Sequence, residues 1–395
     1  MDALLALTNV AVILLLGMLC SLLAKKLGIP DALVLLLLGL IIGRIAYKGQ
    51  SLFVFDNSFL VGVAILALVM TAFDSSSRFR LREHSKSSPD SFKLIAYFLL
   101  LTIITLTFFT SFLFFAKVNL TSLFFSLIFA IMVVATDIDA VFIMLKGYAG
   151  ERVKKVLSLL HTEAIFNTLL VVIIPFIILD IINDLQLSQQ SIIPLFLFQI
   201  IIGLGAGLVI GIIVLKTMQR FYSHNLSPIG LLATVLLAFI LAENLGGNGV
   251  LAVIILGFLF GSFYVKEKPK LREFSYMLSN ALKILVFVLV GMLVKIPLTK
   301  YFLLNSLFIF FLFILSRLTA VFISLRKTDF TIKEKFFMSF NMPKGIVVAV
   351  IVFALWTYQD PNINIILPLI VAFMVYSLII SSIVDRISHK LIKDK

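Results

Sequence analysis

Runs of about twenty apolar residues, broken by short polar stretches, recur from one end of this 395-residue chain to the other. A helix of about twenty residues spans about 30 Å, the thickness of a bilayer's hydrocarbon core. It also bonds its own backbone N–H and C=O groups, which lipid cannot do. The pattern restricts the chain to a polytopic, all-α membrane protein. Composition agrees, with 61% hydrophobic residues, 13% charged residues and a mean hydropathy of +1.16; a soluble domain carries about 25% charged residues. Thirteen spans are predicted, at about 4–24, 31–46, 57–75, 92–116, 119–145, 156–179, 192–215, 227–245, 248–265, 278–294, 301–325, 335–356 and 363–384. The second is short, and only "ENLGGNG" separates the eighth from the ninth. No loop has room for a soluble domain, so residues 1–395 are expected to form a single transmembrane domain. The first span is too long for a removable signal peptide and lacks its small-residue cleavage site.

Charge gives an independent check on that count. With thirteen spans, 25 of the 33 Lys and Arg fall in loops on one side, and only Arg44, Lys48, Lys117, Lys295 and Lys300 fall on the other. Basic residues accumulate on the cytoplasmic side, so the N-terminus is expected outside and the C-terminus in the cytoplasm of a cell membrane. The net charge of +13 is thereby spread over every cytoplasmic loop; it forms no compact patch that would indicate nucleic acid. A single Cys20 excludes a disulfide framework and a cysteine metal site.

Three basic residues, Lys283, Arg317 and Lys344, remain inside predicted spans. Asp74, Asp137, Asp139 and Glu163 lie in spans or at their ends, and Glu243 lies near an outer end. A charge at the bilayer centre costs at least about 2.5–3.5 kcal/mol, and such groups normally face a bundle interior or an aqueous cavity with a partner. Asp137, Asp139, Glu163 and Lys344 read as a cation pathway, against the blander alternative of salt bridges that only orient helices. Lys283, Arg317 and Glu243 read equally as packing or interface residues. Two stretches interrupt their spans: "ATDIDA", whose polar side chains compete for backbone hydrogen bonds, and "FNMPKGI" (340–346), with Pro343 and Gly345. Lying seven spans apart, they run in opposite directions, the pattern of inverted repeats whose broken helices, near 136–139 and 341–345, cross at the midplane. Asp137 or Asp139 suits the positive N-terminal end of a half-helix, and Lys344 a negative C-terminal end. In "HTEAIFNT", Glu163 and Asn167 share a helix face; His161 reads as a loop-edge histidine. Gly203, Gly207 and Gly211 form a small-residue stripe suited to close helix packing or, as a second reading, to a dimer interface.

These residues, taken in order, resemble the monovalent cation/proton antiporters, closest to the NhaP-like sodium/proton antiporter branch. "LAKKLGIPDALVLLLLGLIIG" is similar to the family's opening helices and "AFDSSSRFRL" to its third-span acidic motif. "ATDIDAV" resembles the Thr-Asp-Pro motif, "HTEAIFNT" the Glu-x-x-x-Asn-Asp motif and "MPKGIVVAV" the Pro-Arg-Gly segment; "AENLGGNGVLAVIILGFLFG" and "SRLTAVF" match as well. The resemblance implies a homodimer in the lipid bilayer, with a dimerisation panel and a six-helix core. It also implies elevator-type exchange of sodium, or potassium, for protons at a carboxylate, with no cofactor. Thr136 and Asp137 would then support the ion site, and Asp74 would replace the third-span glutamate. Glu163 and Asn167 would be structural polar partners, Glu163 pairing with Lys344 where the family has arginine.

Departures from the family pattern are informative. Its ion-carrying aspartate is Thr168 here, its proline is Ile138, a second acid follows as Asp139, and the helpful serine is Ala164. A hydroxyl cannot exchange a proton for a cation near neutral pH, so Asp139 is expected to supply the titrating carboxylate that Thr168 lacks. Burial raises an acid's pKa and a nearby cation lowers it, so proton and cation would compete for one site. Asp139 and Asp137 would hold the transported monovalent cation, with Asp74, Thr136 and Thr168 as further oxygen donors. Two alternatives remain open: altered selectivity, or a transport-dead regulatory relative that lost its aspartate. Enzyme readings find no metal-binding His pair and no intramembrane-protease signature.

Overall fold

A computed structural model describes residues 3–47, 50–51, 53, 55–78, 89–137, 150–187, 192–220 and 222–391. Ile138 and Asp139 lie outside them. Fourteen helices are present among the described residues: α1 (Ala3–Leu27), α2 (Asp31–Ile42), α3 (Asn57–Ser77), α4 (Pro89–Phe114), α5 (Leu120–Met132), α6 (Glu151–Leu187), α7 (Ile192–Arg220), α8 (Leu226–Asn244), α9 (Gly249–Ser262), α10 (Lys268–Leu293), α11 (Lys300–Ser324), α12 (Ile332–Phe340), α13 (Ile346–Trp356) and α14 (Ile363–Leu391). A two-residue antiparallel ladder, β1 (Ala46–Tyr47) with β2 (Gln50–Ser51), accompanies them. Nine of the helices are long and apolar enough to cross a membrane, and α2, α5, α9 and α13 are shorter apolar helices. Each predicted span meets one helix, except the twelfth, which divides into α12 and α13, and the fifth, of which α5 covers residues 120–132 while 138–145 lie outside the described residues.

The chain forms two compact units. The first comprises residues 1–57, 87–171 and 284–395. Here α4 packs against α5 and α11. Aromatic pairs line the α4–α11 contact: Phe98 with Phe313 at 5.9 Å, Phe109 with Phe308 at 5.8 Å and Phe114 with Phe302 at 5.7 Å. Phe373 on α14 sits edge-on to Phe129 and Phe310, both at 5.1 Å. In lipid, association depends on such van der Waals fit and on close backbone approach. Gly39 supplies the latter: a Cβ there would fall 2.9 Å from the Gly291 Cα. Two helices of this unit begin in capping boxes, α5 at Asn119–Ser122 and α12 at Thr331–Glu334.

The second unit comprises residues 58–86 and 172–283. The stripe Gly203, Gly207 and Gly211 on α7 meets α9: a Cβ on Gly203 would fall 2.6 Å from the Asn248 carbonyl oxygen, and one on Gly207 3.0 Å from the Ala252 Cα. Of the two readings of this stripe, close packing within the chain is the one observed. The "ENLGGNG" turn does separate two helices: Asn248 caps α9 by accepting the Leu251 N–H at 2.8 Å, and Glu243 accepts the Gly249 N–H at 2.7 Å.

Candidate functional site

The site is built where two helices of the first unit stop short. Helix α5 ends at Met132, and Ala135–Asp137 carry no regular structure. Helix α12 ends at Phe340, because Pro343 offers no N–H and restricts the residue before it to extended backbone. Extended Gly345 (φ −107°, ψ −164°) then opens α13. The two interruptions cross. Asp137 donates its N–H to the Pro343 carbonyl at 2.7 Å, and Lys344 donates its Nζ–H to the Ala135 carbonyl at 2.9 Å. Met342 ties the same segment to α14 through the Ser381 hydroxyl at 3.2 Å.

Charge follows the half-helix dipoles. The Asp137 side chain lies against Gly345 at the N-terminal, positive end of α13, so close that a Cβ on Gly345 would fall 2.6 Å from the Asp137 Cβ. Only glycine admits this approach. Lys344, 1% exposed, places its ammonium just past the C-terminal, negative end of α5 and 4.7 Å from the Phe313 ring centre.

Beside the crossing, the Arg317 guanidinium on α11 grips both carboxylate oxygens of Glu163 on α6, Nη2 to Oε2 at 2.7 Å and Nη1 to Oε1. Both residues are essentially unexposed. Arg317 further donates to the Met338 carbonyl on α12, Nη2 at 3.2 Å and Nε at 3.4 Å, and lies 4.5 Å from the Phe98 ring centre. Asn167 donates to Glu163 at 3.3 Å. The expected ion pair between Glu163 and Lys344 is therefore corrected: Arg317 takes Glu163. A planar fork can meet two carboxylate oxygens and still spare N–H groups for a carbonyl, which a single ammonium cannot. Sequence reasoning gave Arg317 a packing or interface role as readily as a functional one; its signal was an arginine deep in an apolar helix, where a carboxylate partner is the physical expectation.

The remaining candidates are placed as follows. Thr136 is buried, and its hydroxyl has no hydrogen-bond partner among the described residues. Thr168 follows Asn167 on α6 and is half-buried; Ala164 is buried on the same helix. Asp74 belongs to the second unit, where it pairs with Arg78 at 2.8 Å and Arg78 lies 5.4 Å from the Tyr276 ring centre. Asp139, the expected titrating acid, lies outside the described residues. Two more buried side chains of the first unit have atoms without partners among the described residues: the Asn167 Oδ1, and both carboxamide heteroatoms of Asn341 in the α12–α13 break. A buried polar group left unbonded costs about 1–3 kcal/mol, so the Thr136 and Asn341 side chains, on the two segments that bond to each other, need a cause.

The match to known proteins runs nearly end to end. Residues 11–387 match the family described as sodium/hydrogen exchanger, transmembrane. No curated protein matches the chain. Among solved structures, the fold is similar to the sodium proton antiporter MjNhaP1 from Methanocaldococcus jannaschii at pH 8, with a TM-score of 0.77 and 20% identity over 97% of this chain and 100% of that one. An electron-microscopy map of the same antiporter gives a TM-score of 0.74 at 20% identity, covering all of both chains. The match over residues 11–387, together with a helical fold whose two interruptions meet at half-buried Asp137, establishes that the chain belongs to the sodium/hydrogen exchanger family, whose members are membrane transporters that exchange cations for protons and are not enzymes.

Proposed function

We propose that the protein exchanges a monovalent cation, sodium in preference to potassium, for protons at the crossover carboxylates Asp137 and Asp139. The observation that carries this reading is the Asp137 side chain against the N-terminus of α13, at the point where two interrupted helices bond to each other. Such an end accommodates an acid that is alternately charged and neutral. Thr168 occupies the position of the family's ion-carrying aspartate, so Asp139 is the proton-exchanging acid, and Thr136 and Thr168 contribute hydroxyl oxygens. Asp74 is assigned a supporting role in the cation route. Glu163, Asn167 and Lys344 form the fixed polar frame. The alternating-access motion is elevator-type in a homodimer, as in the family the sequence resembles. The distribution of basic residues supports a plasma-membrane protein with its N-terminus outside and its C-terminus in the cytoplasm.

The test is cation-driven proton movement in everted vesicles or liposomes carrying a pH-sensitive dye. Wild type is expected to respond to sodium, and both Asp137→Asn and Asp139→Asn to abolish the response. Exchange that survives Asp139→Asn removes Asp139 from its role and leaves Asp137 as the titrating group. The presence of Thr168 favours one rival, a regulatory relative without coupled exchange; a wild type unresponsive to every alkali cation would select it.

A further inference from the structure

We propose that Asn341 is a neutral oxygen ligand of the transported cation. This rests on the reading that the cation is handled at the crossover. Asn341 is fully buried at the C-terminal end of α12, and neither its Oδ1 nor its Nδ2 has a hydrogen-bond partner among the described residues. Its backbone is held: its N–H bonds the Phe337 carbonyl at 2.9 Å, and the N–H of Met342 bonds the Ser381 hydroxyl at 3.2 Å. Two residues further on, the Pro343 carbonyl receives the Asp137 N–H. Three residues back, Arg317 holds the Met338 carbonyl while gripping Glu163. The residue is therefore anchored on both sides in the segment that bonds Asp137, while its carboxamide is uncommitted among the described residues.

A capping role does not account for it. Asparagine ends helices in the left-handed conformation, whereas Asn341 has φ −88° and ψ 85°. Its side chain bonds none of the α12 carbonyls. Ligand chemistry does account for it. An alkali cation is hard and prefers oxygen, and each water it sheds must be replaced by another oxygen dipole. Thr136 Oγ1 and Asn341 Oδ1 add such dipoles at the crossover without adding charge, so the carboxylates there remain the groups for which proton and cation compete. The Asn341 Nδ2 is then the donor that meets the carboxylate when the cation has left.

The experiment measures binding. Purified full-length protein is melted in detergent at fixed pH against increasing lithium, sodium or potassium, for wild type, Asn341→Ala, Asn341→Ser and Asp137→Asn. Loss of one ligand in Asn341→Ala is expected to raise the half-saturating sodium concentration about tenfold. Asn341→Ser, which keeps a shorter oxygen donor, should recover part of this and alter the ratio among the three cations. Unchanged half-saturation in Asn341→Ala, or a lower melting point with that ratio intact, overturns the inference in favour of a structural asparagine. Asp137→Asn separates the two claims: a wild-type cation response there removes the crossover reading, while the Asn341 series still decides whether this carboxamide touches the ion.

Discussion

At the scale of single residues, the arrangement turns on two contacts. Arg317 and Glu163 are an ion pair with essentially no exposure, gripped bidentately. Removing one partner leaves a buried charge uncompensated, so Arg317→Ala is expected to cost about 3–5 kcal/mol, read as a fall in the thermal unfolding midpoint in detergent. Replacing both, with Glu163→Leu added, should recover most of that loss, because the desolvation cost disappears with the pair. Gly345 is the second contact. Its missing Cβ is what lets Asp137 reach the end of α13. Gly345→Ala overpacks that point at a cost of about 1–3 kcal/mol; exchange activity should fall further than stability does, as comparison of dye-quench rates with melting points would reveal. These residues differed in legibility. The break at Pro343 and Gly345 could be read directly, because proline and glycine carry local backbone rules. The partner of Glu163 could not: Arg317 and Lys344 are both cations within apolar predicted spans, and only the spatial path of each side chain distinguishes them.

At the scale of elements, α12 shows how a short helix is held in place. Its first turn closes a capping box in which Thr331 accepts the Glu334 N–H at 3.2 Å and Glu334 accepts the Thr331 N–H at 2.6 Å. Glu334 also pairs with Arg152 at the start of α6 at 3.1 Å, and Lys155 pairs with Asp329 at 2.6 Å. The same two helices are joined again by Arg317 near the crossing. Thr331→Ala should cost about 1 kcal/mol as a lost cap, and Glu334→Ala should cost more, since it removes both the cap and the partner of Arg152; melting points of the two variants give the order. Lys155 holds the Asp329 carboxyl below the ordinary carboxylate range. A depressed acid favours the folded state above its unfolded pKa, and that contribution disappears as pH falls through the folded value. Because both side chains are exposed, little stability rests on it.

At the scale of the whole molecule, exchange is a competition. If proton and cation occupy one carboxylate, acidification should raise the half-saturating cation concentration, by about tenfold per pH unit once below the acid's pKa, while the maximal rate is approached at high cation. Dye-quench titrations at two pH values check this; a change in maximal rate at constant half-saturation counts against a shared site.

Chain length, apolar runs and charge asymmetry determined by themselves that this is a many-span helical membrane protein, because apolar runs of about twenty residues fit a bilayer as helices, which satisfy their own backbone hydrogen bonds. They also located both interruptions, since proline, glycine and short polar side chains act on their own neighbours. Tertiary structure alone decided which cation neutralises Glu163, that Asp137 lies against the start of α13 while Lys344 reaches past the end of α5, and that the Asn341 carboxamide finds no partner among the described residues. Those are distances between residues up to 209 positions apart in sequence, and periodicity carries no information at that range.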